Sequence, residues 1–409
     1  MTVARHFILT AGGTGGHMLP AYALGAELMA RGHQVALITD ERGTRIPGVP
    51  DGMAVHVMEA GRLGTGILRG GPLGWARAAN AIRKGRAQAM ALIDDVAPSA
   101  VVGFGGYPSF PGLLAARARG VPAMLHEQNA VLGRVNRLMA KRVEAIAVAY
   151  ADVARMPAGC ADKVHLVGNP VREIFVTIRG EPYPPLGPDG IFRLRVVGGS
   201  LGATILADVV PQAVAMLPPA LLARLQVVQQ GRTDDVEATR ARYAELGVAA
   251  EVATYFTDLP DRIRWAHLFI GRSGASTVAE LSCAGRPAIF VPLPGAVHDH
   301  QTHNVRELVS AGGARAIAQP SFTPAELAKQ IQRMALEPGA LEVAAERAAE
   351  CGRPYATRDL ADLVERVGGA PMMDVIRVGA ASGRSRSAAR AAGAAGKMAA
   401  KEAAGERQD

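Results

Sequence analysis

The stretch His6-Phe-Ile-Leu-Thr-Ala-Gly-Gly-Thr-Gly-Gly-His17 joins a short apolar run directly to a glycine-rich loop. The apolar run predicts a buried β-strand over residues 6–11, and residues 20–31, which end before Gly32, predict a helix. Strand, glycine loop and helix in this order are typical of the first unit of a doubly wound α/β fold. The loop does not fit G-x-G-x-x-G, because Met18 stands at the third glycine, and it is not a Walker loop.

The same alternation continues along the chain and then restarts. The second series begins with a predicted strand over residues 192–197, a second glycine loop over residues 198–203 and a helix over residues 205–216. Apolar strands that alternate with helices predict parallel sheets covered on both faces. The other predicted strands are residues 34–39, 100–104, 123–126, 163–167, 226–230, 252–255, 268–270 and 288–292.

This pattern predicts two Rossmann-like domains, over residues 1–170 and 171–352. We expect ligands in the crevice between them, outside the carboxyl ends of the strands. Residues 178–190 are rich in Pro and Gly and predict a linker or surface excursion. We expect a C-terminal helix over residues 353–368 to pack back on the first domain, and residues 371–409, which lack Leu and aromatic residues, to form a disordered basic tail.

The overall composition excludes several classes of protein. The 409 residues are 49% hydrophobic and 20% charged, which excludes a disordered, collagen-like or fibrous chain. A net charge of +8 suits nucleic acid, acidic lipid or a phosphorylated substrate equally well. Three widely spaced cysteines form no zinc or disulfide pattern and indicate a reducing compartment. The chain has no apolar run long enough for a signal peptide or a membrane span, so we expect a cytoplasmic protein, soluble or peripherally bound.

The two glycine loops, residues 12–17 and 198–203, occupy equivalent places in the two predicted domains. Glycines let the backbone approach a ligand, and a helix N-terminus offers N–H groups and a partial positive charge. The alternative to a ligand-binding role is that each loop is only a tight turn from strand to helix. Together they indicate that each domain holds one anionic or polar ligand.

A third loop, Arg272-Ser-Gly-Ala-Ser-Thr-Val-Ala-Glu280, follows the predicted strand that ends at Ile270. Its Ser, Gly and Thr residues could cap a helix or bind a diphosphate. A carboxylate at Glu280 could accept hydrogen bonds from both hydroxyls of a ribose. The alternative is simple capping followed by a surface glutamate.

Two polar clusters allow more than one chemistry. Residues 298–304 contain three histidines and permit a zinc site, but Asp299, Gln301 and Asn304 suit sugar hydroxyls and amides better. Residues 126–129, His-Glu-Gln-Asn, stand just beyond a predicted strand. They indicate either a functional site or a structural hydrogen-bond cluster.

A further segment combines apolar and basic residues. Residues 63–75 are rich in Leu and Gly and end at Trp75, and a predicted basic helix follows. Such a segment could lie in a lipid headgroup layer, or it could be a core helix with a solvated basic face. The basic residues of that helix are Arg77, Arg83, Lys84 and Arg86.

Taken together, these motifs resemble the bacterial UDP-N-acetylglucosamine–N-acetylmuramyl-(pentapeptide) pyrophosphoryl-undecaprenol N-acetylglucosamine transferase family, the MurG family. The resemblance spans roughly residues 5–368. The motifs that carry it are residues 12–17, Gly103-Phe-Gly-Gly-Tyr107, residues 126–129, Gly168-Asn-Pro-Val-Arg172, residues 198–203, residues 272–280 and Gln301-x-x-Asn304.

The resemblance implies a GT-B fold and an inverting glycosyltransferase. It implies transfer of N-acetylglucosamine from UDP-N-acetylglucosamine to the 4-hydroxyl of the muramyl unit of undecaprenyl-linked lipid I, which forms lipid II for peptidoglycan. It implies no cofactor, no metal and no nucleic acid partner. The expected location is peripheral, on anionic lipid at the cytoplasmic face of the bacterial inner membrane.

The resemblance also implies the residues of the site. His17 is the first candidate for the catalytic base, since the ordinary pKa of histidine, about 6.5, suits a base at neutral pH. Glu127 is the second candidate. The chain has no Asp-x-Asp motif, so a helix N-terminus is expected to stabilise the leaving diphosphate, and Glu280 is expected on the ribose. The implied substrate-binding residues are Thr14, Gly15, Gly16, Asn129, Arg172, Ser200, Thr257, Ala275, Ser276, Thr277, Val278, Ala279, Glu280 and Gln301.

The sequence leaves two other functions open. One is a different GT-B transferase that uses another UDP-sugar with a lipid or soluble acceptor. The other is a non-catalytic basic protein that binds RNA or anionic lipid. The latter predicts aromatic residues among the basic ones, whereas only 4% of the chain is aromatic.

Overall fold

The computed structural model describes residues 4–60, 65–199 and 203–369, and only the backbone of residues 65–70, 72–73 and 297. Within these ranges two parallel sheets follow one another along the chain. The first contains β1 (His6–Thr10), β2 (Gln34–Thr39), β3 (Ala54–Val57), β4 (Ala100–Gly103), β5 (Ala123–Glu127), β6 (Ala145–Val148) and β7 (Val164–Leu166). The second contains β8 (Phe192–Val197), β9 (Leu225–Gln230), β10 (Ala249–Ala253), β11 (Leu268–Gly271), β12 (Ala288–Phe290) and β13 (Ala314–Ala316).

The helices of the described residues connect these strands. In the first half they are α1 (Gly15–Ala30), α2 (Thr65–Val96, bent at Gly71), α3 (Ser109–Arg119) and α4 (Arg134–Met139). Those that follow are α5 (Glu173–Arg179), α6 (Thr204–Ala215), α7 (Pro219–Leu222), α8 (Val236–Glu245), α9 (Leu259–Trp265), α10 (Ala275–Cys283), α11 (His300–Asn304), α12 (Arg306–Ala311), α13 (Pro324–Leu336), α14 (Ala340–Cys351) and α15 (Ala356–Val367).

The strand orders place two crevices at the carboxyl ends of the sheets. The first sheet runs β3-β2-β1-β4-β5-β6-β7 and the second β10-β9-β8-β11-β12-β13. In each, the direction of winding reverses beside the first strand, between β1 and β4 and between β8 and β11. Loops on the two sides of such a switch point diverge and leave room for a ligand. The glycine loops follow β1 and β8, and residues 272–280 follow β11.

Both faces of the first sheet are buried, as its apolar strands predict. On β1, Phe7 and Leu9 pack with residues of α1 and α15, whereas Ile8 packs on the opposite face with residues of α2 and α3. Successive side chains of a strand point to opposite faces, so an uninterrupted apolar run requires helices on both sides.

Helix α15 returns to the first half and packs on it. Its Leu360 and Val364 are fully buried in the same cluster as Phe7. Arg31, the C-cap of α1, forms ion pairs with Asp362 at 2.6 Å and with Glu365 at 3.0 Å. Helix α5, by contrast, packs in the second half, where Phe175 and Ile178 are fully buried.

Several element boundaries differ from the predictions. Helix α1 begins at Gly15 and not at residue 20, so half of the glycine loop is its first turn, and Pro20 lies inside the helix. Strand β10 ends at Ala253, whereas the prediction placed it over residues 252–255. Strands β3, β6 and β13 were not predicted. The predicted tail, residues 371–409, lies outside the described residues.

Candidate active site at the junction of the two sheets

His17 stands in the first turn of α1, directly beyond the carboxyl end of β1. Thr14 is the N-cap, and its side chain makes no capping hydrogen bond. Gly13 has φ of 87°, a conformation that residues with a Cβ rarely adopt, so the sharp turn from β1 into α1 requires glycine there. Thr14, Gly15 and Gly16 therefore present the N-terminal backbone of α1 at the crevice, with the His17 ring beside them.

A chain of hydrogen bonds connects His17 to the segment between the two sheets. His17 Nδ1 lies 3.1 Å from Gln128 Oε1, and Gln128 Nε2 lies 3.0 Å from His126 Nδ1. His126 Nε2 lies 2.9 Å from the carbonyl oxygen of Gly168. His126 is fully buried, and this burial lowers its pKa to about 4. His126 is thus neutral at physiological pH. Gln128 was assigned no role from the sequence.

Glu127 accepts hydrogen bonds within the first half. Its Oε1 accepts from the backbone N–H and the side-chain amide of Asn129, at 3.1 and 3.2 Å. Its Oε2 accepts from Gly133 N at 2.8 Å and from Asn136 Nδ2 at 2.9 Å. Each oxygen already has two donors, which occupy its lone pairs, and the residue is only 2% exposed. The carboxylate thus holds the loop that carries Asn129, and the prediction of Glu127 as an alternative base stays a prediction.

Asn304 connects the loops of the two halves by hydrogen bonds. Its Oδ1 accepts from the backbone N–H of Ala130 at 2.9 Å, and its Nδ2 donates to Asn129 Oδ1 at 3.2 Å and to the carbonyl of Ser273 at 3.3 Å. The residue is fully buried. The sequence motif contained Asn304, but its bridging role appears only once the two halves are placed together.

The N-terminus of α10 is the corresponding feature of the second half. The helix follows β11, and Gly274 is its N-cap. The hydroxyl of Ser276 is buried and has no hydrogen-bond partner among the described residues. Helix α10 contacts α1, so two helices that begin at the carboxyl ends of their sheets meet here. Residues Ala275, Ser276, Thr277, Val278, Ala279 and Glu280 all belong to α10.

Glu280 and Arg172 form an ion pair. Arg172 Nη2 and Nε donate to Glu280 Oε1 at 3.0 and 3.2 Å. Burial raises the pKa of Glu280, and the charge of Arg172 opposes this rise. Both bonds end on Oε1, which leaves Oε2 for another donor. The guanidinium of Arg172 also lies over the Phe175 ring, 4.8 Å from its centroid.

The remaining predicted residues take different positions. Gln301 Oε1 accepts from the backbone N–H of Leu293 at 3.0 Å and lies 3.5 Å from Ser273 Oγ. Thr257 is exposed on the loop between β10 and α9. Ser200 lies outside the described residues.

The histidines of residues 298–304 do not assemble a cluster of ligands. His298 Nε2 lies 2.9 Å from an Arg155 guanidinium nitrogen, and both His298 and Asp299 adopt positive φ. Throughout residues 4–60, 65–199 and 203–369, no group of three or more His, Cys, Asp or Glu side chains could hold a metal ion.

The C-terminal part of α2 presents a basic surface, which consists of Trp75, Arg77, Arg83, Lys84 and Arg86. Trp75 is 56% exposed, and the four basic side chains are exposed as well. The side chains of residues 65–70 and 72–73 are not described and do not enter this definition. None of the helices that the structure describes is both long and apolar enough to cross a membrane.

Comparisons with known proteins agree with this architecture. The N-terminal domain of glycosyltransferase family 28 matches residues 7–148, and the C-terminal domain of that family matches residues 193–366. A relative from Sphingopyxis alaskensis, named UDP-N-acetylglucosamine--N-acetylmuramyl-(pentapeptide) pyrophosphoryl-undecaprenol N-acetylglucosamine transferase, is 66% identical over 392 residues, which cover 96% of this chain and 99% of the relative. A relative of the same name from Novosphingobium aromaticivorans is 58% identical over 387 residues, 94% of this chain and 98% of the relative.

A solved structure gives the same assignment. The crystal structure of Acinetobacter baumannii MurG matches with a TM-score of 0.69 and 30% identity, over 88% of this chain and 99% of that one. The prediction of two Rossmann-like halves in a GT-B fold is therefore confirmed, as is the prediction of a glycosyltransferase. The chain belongs to family 28 of the glycosyltransferases and, within it, to the MurG family of N-acetylglucosamine transferases.

Proposed function

We propose that the junction of the two sheets transfers N-acetylglucosamine, with inversion, from UDP-N-acetylglucosamine to the 4-hydroxyl of the muramyl unit of lipid I, forming lipid II. The name of the two relatives specifies this sugar and an undecaprenyl pyrophosphoryl muramyl acceptor. The observation that carries the proposal is the contact between α1, which bears His17 in its first turn, and α10, which carries the ion-paired Glu280. This contact supports a base on α1 that acts on a donor held at the N-terminus of α10.

His17 is the proposed base. An inverting displacement needs a group that takes the proton of the acceptor hydroxyl as the hydroxyl attacks the anomeric carbon. His17 is half-buried at the crevice, and its Nδ1 is already engaged by Gln128. The Nε2 atom on the opposite edge of the ring is the nitrogen that remains for the acceptor.

The second half is the proposed donor site. The N-terminus of α10 would stabilise the diphosphate leaving group without a metal, since a helix N-terminus carries roughly half a positive charge. Glu280 Oε2 would accept from the ribose hydroxyls, while Arg172 holds Oε1. The other proposed substrate contacts are Thr14, Gly15, Gly16, Asn129, Ser200, Thr257, Ala275, Ser276, Thr277, Val278, Ala279 and Gln301.

We further propose that residues 1–170 form the acceptor domain and residues 171–352 the donor domain. The basic surface of α2 belongs to the first of these. The exposed Trp75 and four exposed basic side chains of the same helix suit the headgroup layer of an anionic membrane. Since lipid I is anchored in a membrane, this surface would hold the enzyme at the cytoplasmic face of the inner membrane.

The experiment that tests the function is a transfer assay with a panel of UDP-sugars and two acceptors. The acceptors are a lipid I analogue and the same analogue with the muramyl 4-hydroxyl replaced by hydrogen. We expect turnover only with UDP-N-acetylglucosamine and the intact analogue, and a β-linked disaccharide by NMR. Equal turnover of another UDP-sugar would favour the alternative of a different GT-B transferase. Product from the 4-deoxy acceptor would overturn the proposed attacking hydroxyl.

A further inference from the structure

Gln128 lies between two histidine rings and is 1% exposed. Its carbonyl oxygen is 3.1 Å from His17 Nδ1, and its amide nitrogen is 3.0 Å from His126 Nδ1. The same nitrogen donates to the backbone carbonyl of His126 at 3.3 Å. A side-chain amide has one accepting end and one donating end, so its orientation controls which nitrogen of each ring carries a proton.

The direction of every bond follows from the far end of the chain. The carbonyl of Gly168 can only accept, so His126 Nε2 must carry the proton that bridges the 2.9 Å between them. His126 is fully buried and neutral, and a neutral imidazole has a single N–H, so its Nδ1 is an acceptor. The amide nitrogen of Gln128 donates to that Nδ1, which turns the carbonyl oxygen of Gln128 towards His17.

The last bond then determines the state of His17. The carbonyl oxygen of Gln128 can only accept, so Nδ1 of His17 carries the proton. In the neutral ring, Nε2 is therefore unprotonated and presents a lone pair. This is the form that a general base needs at the nitrogen facing away from Gln128.

We propose that Gln128 is a positioning residue that holds His17 in the Nδ1–H tautomer, through a relay that runs from the Gly168 carbonyl through His126. The inference rests on the proposed role of His17 as base. In the absence of Gln128 the neutral ring would divide between two tautomers, and molecules with a proton on Nε2 could not accept the proton of the hydroxyl. In a hydrolase triad, selection of the wrong histidine tautomer lowers kcat by about 10⁴-fold.

The relay begins where the chain passes between the two halves. Gly168 belongs to the segment that leads from β7 to α5 and has φ of 93°. A Cβ at Gly168 would lie 2.9 Å from the Cβ atoms of Arg353 and Ala356, so the segment that returns from the second half packs directly on it. The Gly168 carbonyl, which sets the tautomer, therefore lies where the chain passes from the first half to the second and where it returns.

The experiment compares two substitutions of buried glutamines in the full-length protein. Gln128→Met keeps the length of the side chain and removes both hydrogen-bonding ends. The matched control is Gln229→Met on β9, where the fully buried Gln229 Oε1 accepts from Tyr243 at 2.6 Å. The tautomers of His17 and His126 are read from the ¹⁵N spectrum of protein labelled in its histidine rings, with His17→Ala used to assign the His17 signals. Steady-state kcat is measured with lipid I varied at saturating donor.

We expect Nδ1–H at His17 and Nε2–H at His126 in the wild-type protein. Gln128→Met should mix the His17 tautomers and lower kcat by about 10-fold, less than the roughly 10²- to 10⁴-fold effect of losing the base itself, because some of the molecules keep Nδ1–H. The control should retain the wild-type tautomers and kcat. Nε2–H at His17 in the wild-type protein, or wild-type spectra and kcat in Gln128→Met, would overturn the relay.

A second variant covers the case in which Gln128→Met does not fold. As a carboxylate, Gln128→Glu still accepts from His17 but cannot donate to His126, so the His126 ring should gain a proton and show an imidazolium spectrum. As a neutral acid it donates its O–H to His126 Nδ1, and the ring keeps the Nε2–H form. A neutral His126 ring that carries its proton on Nδ1 would contradict the relay. The role of His17 as base is tested separately from the relay. A near-normal kcat in His17→Ala would show that His17 is not the base, whereas the histidine spectrum of the wild-type protein would still show whether the relay sets its tautomer.

Discussion

Glu280 uses only one of its two carboxylate oxygens in its ion pair with Arg172. Arg172 engages Oε1, and the side chain of Glu280 is 10% exposed whereas that of Arg172 is 41% exposed. Oε2 makes no hydrogen bond among the described residues, and we propose that it accepts from a ribose hydroxyl. Hydrogen bonds to a charged group are worth about 1.5–3 kcal/mol when they replace bonds to water.

We predict that Glu280→Gln raises the dissociation constant of UDP by about 10- to 100-fold, because the amide cannot accept as strongly and no longer attracts Arg172. Isothermal titration with UDP measures this change. Glu245→Gln, an exposed glutamate on α8, is the control and should leave the constant unaltered. If Glu280→Gln folds and binds UDP as the wild type does, the carboxylate has no role on the ribose.

The candidate site could be predicted from the sequence only at the level of single positions. His17 was predicted because a polar residue at the start of a helix after a buried strand has few structural reasons to be there. Glu280 was predicted because capping does not explain a carboxylate one turn beyond such a start. Gln128 was not assigned a role because its partners, His17 and His126, lie on two different strand–helix units. The hydrogen bonds that Glu127 accepts from Gly133 and Asn136 could not be predicted, because these donors reach it only when α4 is in place.

At the scale of elements, two of the three strands that were not predicted are short and rich in alanine. Strand β6 reads Ala-Ile-Ala-Val and β13 reads Ala-Arg-Ala, sequences that favour no particular secondary structure. They are strands because their neighbours in the sheet supply hydrogen bonds. The early start of α1 is also due to packing. The fully buried Met18 stabilises the first turn, although the low helix propensity of its glycines does not favour a helix there.

The basic surface of α2 is the element for which a membrane role can be measured. A basic residue near an anionic surface contributes about 1 kcal/mol, so the triple variant Arg83→Gln, Lys84→Gln and Arg86→Gln should bind anionic vesicles on the order of 100-fold more weakly. Trp75→Ala should weaken binding to the same vesicles through lost insertion of the ring. Binding is measured by sedimentation with vesicles of phosphatidylglycerol and phosphatidylcholine at low salt.

The control for this surface is Tyr255→Ala, a 64% exposed aromatic residue of the second half, which should bind as the wild type does. Added salt should weaken wild-type binding, since exposed charges are screened. Equal vesicle binding by the wild type, the triple variant and Trp75→Ala would refute a membrane role for α2.

At the scale of the whole molecule, the two halves share their buried polar groups. Asn304 of the second half binds Asn129 and Ala130 of the first, and the chain crosses between the halves beside Gly168. His126, which reaches the Gly168 carbonyl, is thus both a member of the relay and part of the buried junction. A change in the protonation of His126 should therefore change the free energy of unfolding of the protein.

The sign of this change in stability follows from the pKa of His126, which burial lowers from 6.5 to about 4. Between these values the unfolded chain binds a proton at His126 and the folded chain does not, so the free energy of unfolding falls as the pH drops through this window. The contribution is fully present above pH 6.5 and fully lost below about pH 4. At about 1.4 kcal/mol per pKa unit, the loss amounts to about 3 kcal/mol.

We predict that His126→Asn, whose oxygen can still accept from Gln128, is less stable than the wild type at pH 7 but loses less stability on acidification. The difference between the two free energies of unfolding should shrink by roughly 1 kcal/mol per pH unit below about pH 6.5, because asparagine has no proton to gain. Urea unfolding followed by circular dichroism at a series of pH values measures both curves. Above pH 7 the curves should run parallel, which is the internal control. If they also run parallel between pH 6 and pH 4.5, His126 is not kept neutral by its burial, and its bond with Gln128 would have to run the other way, from His126 Nδ1–H to the amide oxygen.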